Sequence, residues 1–132
     1  MGKKQVAVML PAIGELFGAE EEENLCLTIQ ADGDEKLWVQ IVADEVNMAY
    51  PFRDDPVARL ERLDFKERKL LELVQTEPNL FASFGFRKSL TAKKVATLVD
   101  HVFVQLLGRD DAAYEVEMSV ESLNADEDGE ED

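Results

Sequence analysis

The amino-acid sequence predicts an α+β fold, an antiparallel sheet of about five strands with helices packed mainly on one face. Two runs of alternating apolar residues near residue 30 flank an Asp-Gly turn, which is the pattern of a β-hairpin. Other segments carry apolar residues at spacings of three and four, which is typical of amphipathic helices. The 132 residues, 45% of them apolar, suffice for one domain with one core. Such helices bury their apolar stripe by covering a sheet, which gives two layers.

The first element is a helix over residues 3–18. Its apolar residues recur at helical spacing and form one stripe: Val6, Met9, Leu10, Ile13, Leu16 and Phe17. Pro11 lies within the segment, so the sequence predicts either a kink there or a shorter helix that begins at the proline. Gly18 marks the end of the helix.

Three strands follow as a meander. The segments 24–30 and 37–42 pair as a hairpin, and residues 46–50 continue as a third strand. The phase of the apolar residues changes at Asp44, which predicts a second turn or a bulge at that point.

The middle of the chain has a helical pattern. Asp55 caps a first short helix, with Pro56 at its opening position. Asp64 and Glu67 have the spacing of a capping pair and predict the start of a second stretch of helix, which Pro78 ends.

The last third contributes a strand, a helix and a strand. Residues 79–86 have strand composition, 90–108 form the most regular amphipathic helix, and 112–122 alternate as a strand. The predicted order is therefore α-β-β-β-α-β-α-β, in a single domain over residues 1–123. Residues 124–132 carry six acidic side chains and no large apolar residue, so we expect a disordered acidic tail.

Composition excludes several classes of function. With 14 basic and 29 acidic residues the formal net charge is −15, which disfavours nucleic acid and anionic membranes and favours basic partners. The apolar stretches are all shorter than the roughly 20 residues that cross a bilayer. The first residues are interpreted as a helix of the mature protein rather than a signal peptide, and we expect a cytoplasmic protein.

The sequence shows no catalytic, cofactor or metal motif. His101 directly follows Asp100, and adjacent positions of a helix do not face each other. A phosphate-binding glycine loop, a serine elbow and the spacing of metal ligands are all missing, and the one cysteine cannot form an intrachain disulfide. We therefore predict a protein that is not an enzyme. The alternative is a small enzyme or ligand-binding domain with a carboxylate-lined pocket, built from Asp44, Glu45, Tyr50 or His101.

The strand at residues 37–42 carries apolar side chains on both faces. Leu37, Val39 and Ile41 share the face expected to meet the helices. The opposite face then presents the predicted partner-binding residues, which are Trp38, Val42, Cys26 and Phe81. An exposed apolar patch marks an interaction site, and tryptophan is favoured as its anchor. The alternative is that the 112–122 strand or the first helix covers this face.

Ten of the fourteen basic residues fall between residues 53 and 94. They form either solvated helix faces or a basic belt that the acidic tail occupies until a partner arrives. The strong acidity also leaves a third interpretation of function, an acidic nucleic-acid mimic that inhibits a basic protein.

Residues 5–107 resemble the type III secretion chaperone-like superfamily, which includes TY-Chap and YbjN-like bacterial proteins. The matching segments are "VMLPAIGELFG", "NLCLTIQADGDEKLWVQIVADEVNMAYPF", "ERKLLELVQTEPNLFASFGF" and "TAKKVATLVDHVFVQLLG". The family usually places two strands before the late helix, where the residue pattern here shows one. The resemblance implies a non-enzymatic binder, often dimeric, that holds an extended segment of another protein.

Together these features predict a protein-binding module, chaperone-like or adaptor-like, that holds a partner segment on an apolar sheet face. The expected partner is another protein, basic or partly unfolded, and we also expect the chain to form a homodimer. No cofactor is expected.

Overall fold

One six-stranded antiparallel sheet and three α-helices are the main elements of the computed structural model, which describes residues 3–19, 24–87, 89–109 and 114–122. The α-helices are α1 (Lys3–Gly18), α2 (Pro56–Arg62) and α3 (Ala92–His101). α3 continues directly as a π-helix over Val102–Leu106, and Arg68–Leu70 form a short 3-10 helix. The strands are β1 (Leu25–Ala31), β2 (Trp38–Val42), β3 (Glu45–Ala49), β4 (Glu72–Glu77), β5 (Phe81–Gly85) and β6 (Val116–Ser122). The predicted α+β class is confirmed, and the acidic tail at 124–132 lies outside the described residues.

The sheet has the strand order β4-β5-β3-β2-β1-β6. The predicted meander forms its centre, because β1 pairs with β2 and β2 with β3. The β4–β5 hairpin joins the outer side of β3, while β6 returns along the whole length of β1. Strands β4 and β6 are therefore the two edges.

The helices pack on one face of the sheet, here called the inner face. Alternate residues of the central strands point into this layer and share one apolar core with α1 and α3. Its fully or almost fully buried members include Met9, Ile13, Leu27, Ile29, Val39, Ile41, Val46, Met48, Phe84, Val95, Leu98 and Phe103. Pro11 lies inside α1 on its exposed side.

The predicted helix from Asp64 to Pro78 is wrong. Residues Glu72–Glu77 form strand β4, so two strands, not one, precede α3. Asp64 follows α2 in a turn with a φ of +52°. Glu67 directly precedes a short 3-10 helix over Arg68–Leu70, but its side chain makes no capping hydrogen bond there and contacts His101 instead. The observed order is α-β-β-β-α-β-β-α-β.

A bulge explains why β4 has no clear strand pattern. The pairing of β4 with β5 shifts between Leu73 and Gln75, which leaves Val74 as an extra residue. The extra residue places two apolar side chains in succession and hides the alternation on which strand prediction depends. Pro78 and Asn79 form the turn of the β4–β5 hairpin instead of a helix end, and Asn79 has a φ of +67°.

A buried polar cluster connects both ends of the chain to α3. Gln5 Nε2 of α1 donates to the Tyr114 carbonyl at 2.6 Å, and the Tyr114 hydroxyl donates to Asp100 Oδ1 at 2.5 Å. Asp100 is only 5% exposed. Burial, first, and the Asp100 carboxylate beside it raise the pKa of Tyr114, so the hydroxyl stays protonated and remains a donor.

Ala43 occupies a strained position in the turn between β2 and β3. Val42 pairs with Glu45 across this two-residue turn, and Ala43 has a φ of +52°. An L-residue with a side chain is disfavoured in this region, whereas glycine adopts it freely. We therefore expect Ala43→Gly to raise the free energy of unfolding by about 1 kcal/mol, measured by urea denaturation. A loss of stability would show that the backbone strain is small or that the Ala43 methyl is needed.

Candidate protein-binding face

The second face of the sheet, here called the open face, is not covered by any helix of the described residues. All three helices contribute to the core on the inner face. The strand registers place the open-face side chains in three rows that cross the six strands. The rows differ in chemistry, and each is described below from β6 to β4.

The first row is apolar in its centre. It contains, in order, Glu117, Gln30, Trp38, Ala49, Phe81 and Glu77. The printed pairs place Gln30 beside Trp38 and Ala49 beside Phe81, and one further step of the β2–β3 register brings Trp38 next to Ala49. Trp38 and Phe81 are half-buried, as expected for large side chains that lie on a sheet without a covering layer.

The middle row consists of hydroxyl and amide side chains on all six strands. Its members are Ser119, Thr28, Gln40, Asn47, Ser83 and Gln75. Gln40 Nε2 donates to Thr28 Oγ1 at 3.3 Å, and the Ser83 hydroxyl donates to Asn47 Oδ1. Gln40 Oε1 and Asn47 Nδ2 have no hydrogen-bond partner in the part of the chain that the structure describes. These atoms remain available to a bound molecule.

The third row combines small apolar residues with acids. It contains Glu121, Cys26, Val42, Glu45, Gly85 and Glu72. Gly85 leaves a gap that Val74 of the bulge fills, because a methyl added at Gly85 would lie 3.6 Å from Val74 Cγ2. The bulge thus turns Val74, which is 55% exposed, onto the open face.

Carboxylates lie at both edges of the open face. Glu117 and Glu121 lie on the β6 edge, Glu72 and Glu77 lie on the β4 edge, and Glu45 lies between them. The four edge glutamates are exposed. Across the paired strand positions of this face the structure describes no lysine or arginine. The surface is therefore apolar, hydrogen-bonding and negatively charged.

All four residues predicted from the sequence lie on the open face. Trp38 and Phe81 belong to the first row, whereas Cys26 and Val42 are neighbours in the third row. The alternative, a face covered by the 112–122 strand or by the first helix, does not occur among the described residues, because β6 extends the sheet and α1 packs on the inner face. Sequence reasoning missed Val74, because only the bulge directs it to this side.

Cys26 is a buried packing residue beneath the open face rather than a reactive thiol. It is 8% exposed, and burial raises the pKa of its thiol, with Glu121 adding to the increase and a hydrogen bond with Thr28 opposing it. Because the thiolate is the nucleophile, a raised pKa lowers the reactivity of the thiol at neutral pH. Cys26 therefore acts as a small apolar residue beside Val42.

The residues of the enzyme alternative do not converge on one pocket. Asp44 and Glu45 lie at the β2–β3 turn, whereas Tyr50 follows the far end of β3 and is buried on the inner face. The Tyr50 hydroxyl donates to Asp54 Oδ1 at 2.6 Å. Burial, followed by this hydrogen bond, raises the pKa of Tyr50 to about 12, so at neutral pH the hydroxyl is a structural donor.

Asp54 is held as an ion by its neighbours. The Tyr50 hydroxyl, then Arg59, with a smaller contribution from Arg62, lower the pKa of Asp54 to about 2. Arg59 also lies over the Phe52 ring, at 3.7 Å from its centre. The cluster fixes the chain between β3 and α2, and its carboxylate is a poor general base because its pKa is far from neutral.

His101 lines a separate open cleft in the helix layer. The cleft has a volume of about 330 Å³ and is lined by Lys66, Glu67, Leu70, Thr91, Lys93, Lys94, Thr97 and His101. His101 Nδ1 lies 2.8 Å from both oxygens of Glu67, which is 7% exposed. Sequence reasoning compared His101 with the adjacent Asp100 and missed Glu67, 34 positions earlier.

Comparisons with known proteins give no indication of function, so the proposal below depends on the fold and the open face. No family model, no curated protein and no solved structure matches the chain. In the part of the chain that the structure describes, no helix has the length and apolarity required to cross a bilayer. The same residues contain no group of three or more histidine, cysteine, aspartate or glutamate side chains arranged to hold a metal ion.

Proposed function

We propose that the protein is a non-enzymatic binding module, chaperone-like or adaptor-like, that holds a segment of another protein on the open face. The observation that carries this proposal is the apolar stretch of the first row, on a sheet face without a helix above it. In this stretch Trp38 and Phe81 lie on the strands to either side of Ala49. Clustered aromatic side chains that are flanked by polar groups have the composition of a binding hot spot.

The proposal includes the expectations about location and assembly. The protein acts in the cytoplasm, without a cofactor, and the type III secretion chaperone-like superfamily remains the family that the sequence resembles. The homodimer also stays a proposal, which light scattering of the purified protein measures directly.

The test is capture of a partner by the wild type and two variants. Trp38→Glu places a charge in the apolar row, whereas Val8→Glu makes the same change at a side chain that is 44% exposed on α1. Proteins that co-purify with the wild type are identified, produced separately and titrated against each variant by calorimetry. We expect Trp38→Glu to weaken binding at least about tenfold and Val8→Glu to leave it unchanged. Equal affinity of the wild type and Trp38→Glu would refute the proposal.

A second candidate function is supported by the cleft at His101. Three lysines, Lys66, Lys93 and Lys94, line it, while the one carboxylate in its lining, Glu67, pairs with His101. The excess of positive charge favours a small anionic ligand. The same variants separate the two functions. A ligand of this cleft would bind Trp38→Glu as tightly as the wild type, because the cleft lies in the helix layer and not on the open face.

A further inference from the structure

We propose that the occupant of the open face is an extended, cationic segment of another protein that runs across the strands, and not a second copy of this chain. This inference rests on the proposed function and specifies its partner. Three observations carry it: the charge of the face, the distance between its acidic edges, and the polar row through its centre.

Charge opposes the face-to-face association of two copies through the open face. The open face carries five glutamates and, at its described strand positions, no basic residue. Two copies meeting through this face would bring ten carboxylates together, five from each, in a chain whose formal net charge is already −15. Like charges across an interface oppose association, whereas lysine and arginine side chains would complement this surface.

The positions of the acids set the spacing of the cations. Glu117 and Glu77 end the first row on opposite edges of the sheet. Five strand spacings of roughly 4.8 Å separate the edges by about 24 Å. An extended chain covers this distance in about seven residues. A segment with a lysine or arginine at each end and apolar side chains between them therefore matches both the acidic edges and the apolar centre.

The middle row favours an extended segment over a helix. A helix satisfies its own backbone hydrogen bonds and would bury the hydroxyl and amide groups of this row without partners. An extended segment presents free N–H and C=O groups along its length. The unused polar atoms of Gln40 and Asn47, near the centre of the row, can bond to them.

The test uses three short blocked peptides and Trp38, the only tryptophan in the chain, as the fluorescent reporter. The first peptide has seven residues, with lysine at both ends, leucine at the third and fifth positions and serine elsewhere. The second replaces both lysines with glutamate, and the third places both lysines together at one end. We expect the first to bind about tenfold more tightly than the other two at low ionic strength, with the difference reduced in about 1 M salt.

Paired variants separate local charge from net charge. Glu77→Gln combined with Glu117→Gln neutralises both ends of the first row, whereas Glu15→Gln combined with Glu61→Gln removes the same charge from α1 and α2. We expect the first pair to weaken binding of the two-ended lysine peptide about tenfold and the second pair to have little effect. Equal losses in both pairs would overturn the inference.

The remaining outcomes distinguish this inference from the proposed function. For these, binding is followed by the anisotropy of a labelled peptide. Equal affinity for the lysine and glutamate peptides, lost in Trp38→Glu, would leave the proposed function standing and refute a cationic partner. Undiminished binding to Trp38→Glu would place the peptide at an edge strand and refute both. No saturable binding up to about 1 mM, or a wild-type dimer that Trp38→Glu dissociates, would also overturn the inference.

Discussion

Trp38→Glu and Val39→Glu, at adjacent residues on opposite faces of β2, are expected to have opposite outcomes for folding. Val39 is fully buried in the core, whereas Trp38 is half-buried on the open face. A glutamate at position 39 loses the burial of a valine, about 1.5–3 kcal/mol, and also places an unpaired carboxylate in the core at a further cost of several kcal/mol. Because domains of this size have only about 5–15 kcal/mol of stability, we expect Val39→Glu to be largely unfolded.

Trp38→Glu should remain folded, because the new carboxylate stays in contact with water. We expect a loss of about 1–2 kcal/mol in the free energy of unfolding, from reduced contact with the neighbouring apolar side chains. Circular dichroism during urea denaturation measures both variants, and Val8→Glu on α1 serves as an exposed reference. If Trp38→Glu unfolded to the same extent as Val39→Glu, the indole would belong to the core and the open face would lose its proposed role.

The success of sequence reasoning at this face follows from the period of a strand. Successive side chains of a strand point to opposite faces, so the separation of Trp38 from Val39 needs only the residue order. The same rule places Cys26 beside Val42 once the strands are paired in a meander. The strand that carries Phe81 is not part of that meander, and its pairing with β3 comes from the structure alone. These placements on one face follow because the strands are regular at the positions concerned.

The errors arise where local sequence does not determine structure. At β4 an extra residue, Val74, interrupts the alternation, so the segment resembled the continuation of a helix. Two strands, β4 and β5, precede α3. The chaperone-like superfamily that the sequence resembles has the same number at this point, but membership of that superfamily stays a prediction. Contacts between residues far apart in the sequence, such as Glu67 with His101, leave no local pattern and could not be predicted.

Tyr114→Phe is expected to cause the second large loss of stability, although it removes a single oxygen atom. The Tyr114 hydroxyl donates to Asp100 Oδ1, and within the described residues this carboxylate has no other hydrogen-bond donor. Removing the hydroxyl leaves a charged group that is 5% exposed without a partner, which costs about 2–3 kcal/mol. Thermal unfolding followed by circular dichroism measures the loss.

Tyr50→Phe provides the matched control for Tyr114→Phe. The Tyr50 hydroxyl also donates to an aspartate, but Asp54 keeps Arg59 and Arg62 as partners and lies partly in solvent. We therefore expect a smaller loss than in Tyr114→Phe. Combining Tyr114→Phe with Asp100→Asn tests the cause, because an uncharged side chain at position 100 should reduce the cost of removing the hydroxyl. The loss of stability caused by Tyr114→Phe is therefore compared in two backgrounds, with aspartate and with asparagine at position 100. Equal losses would show that packing of the ring, and not the buried charge, determines the stability of this junction between α1, α3 and β6.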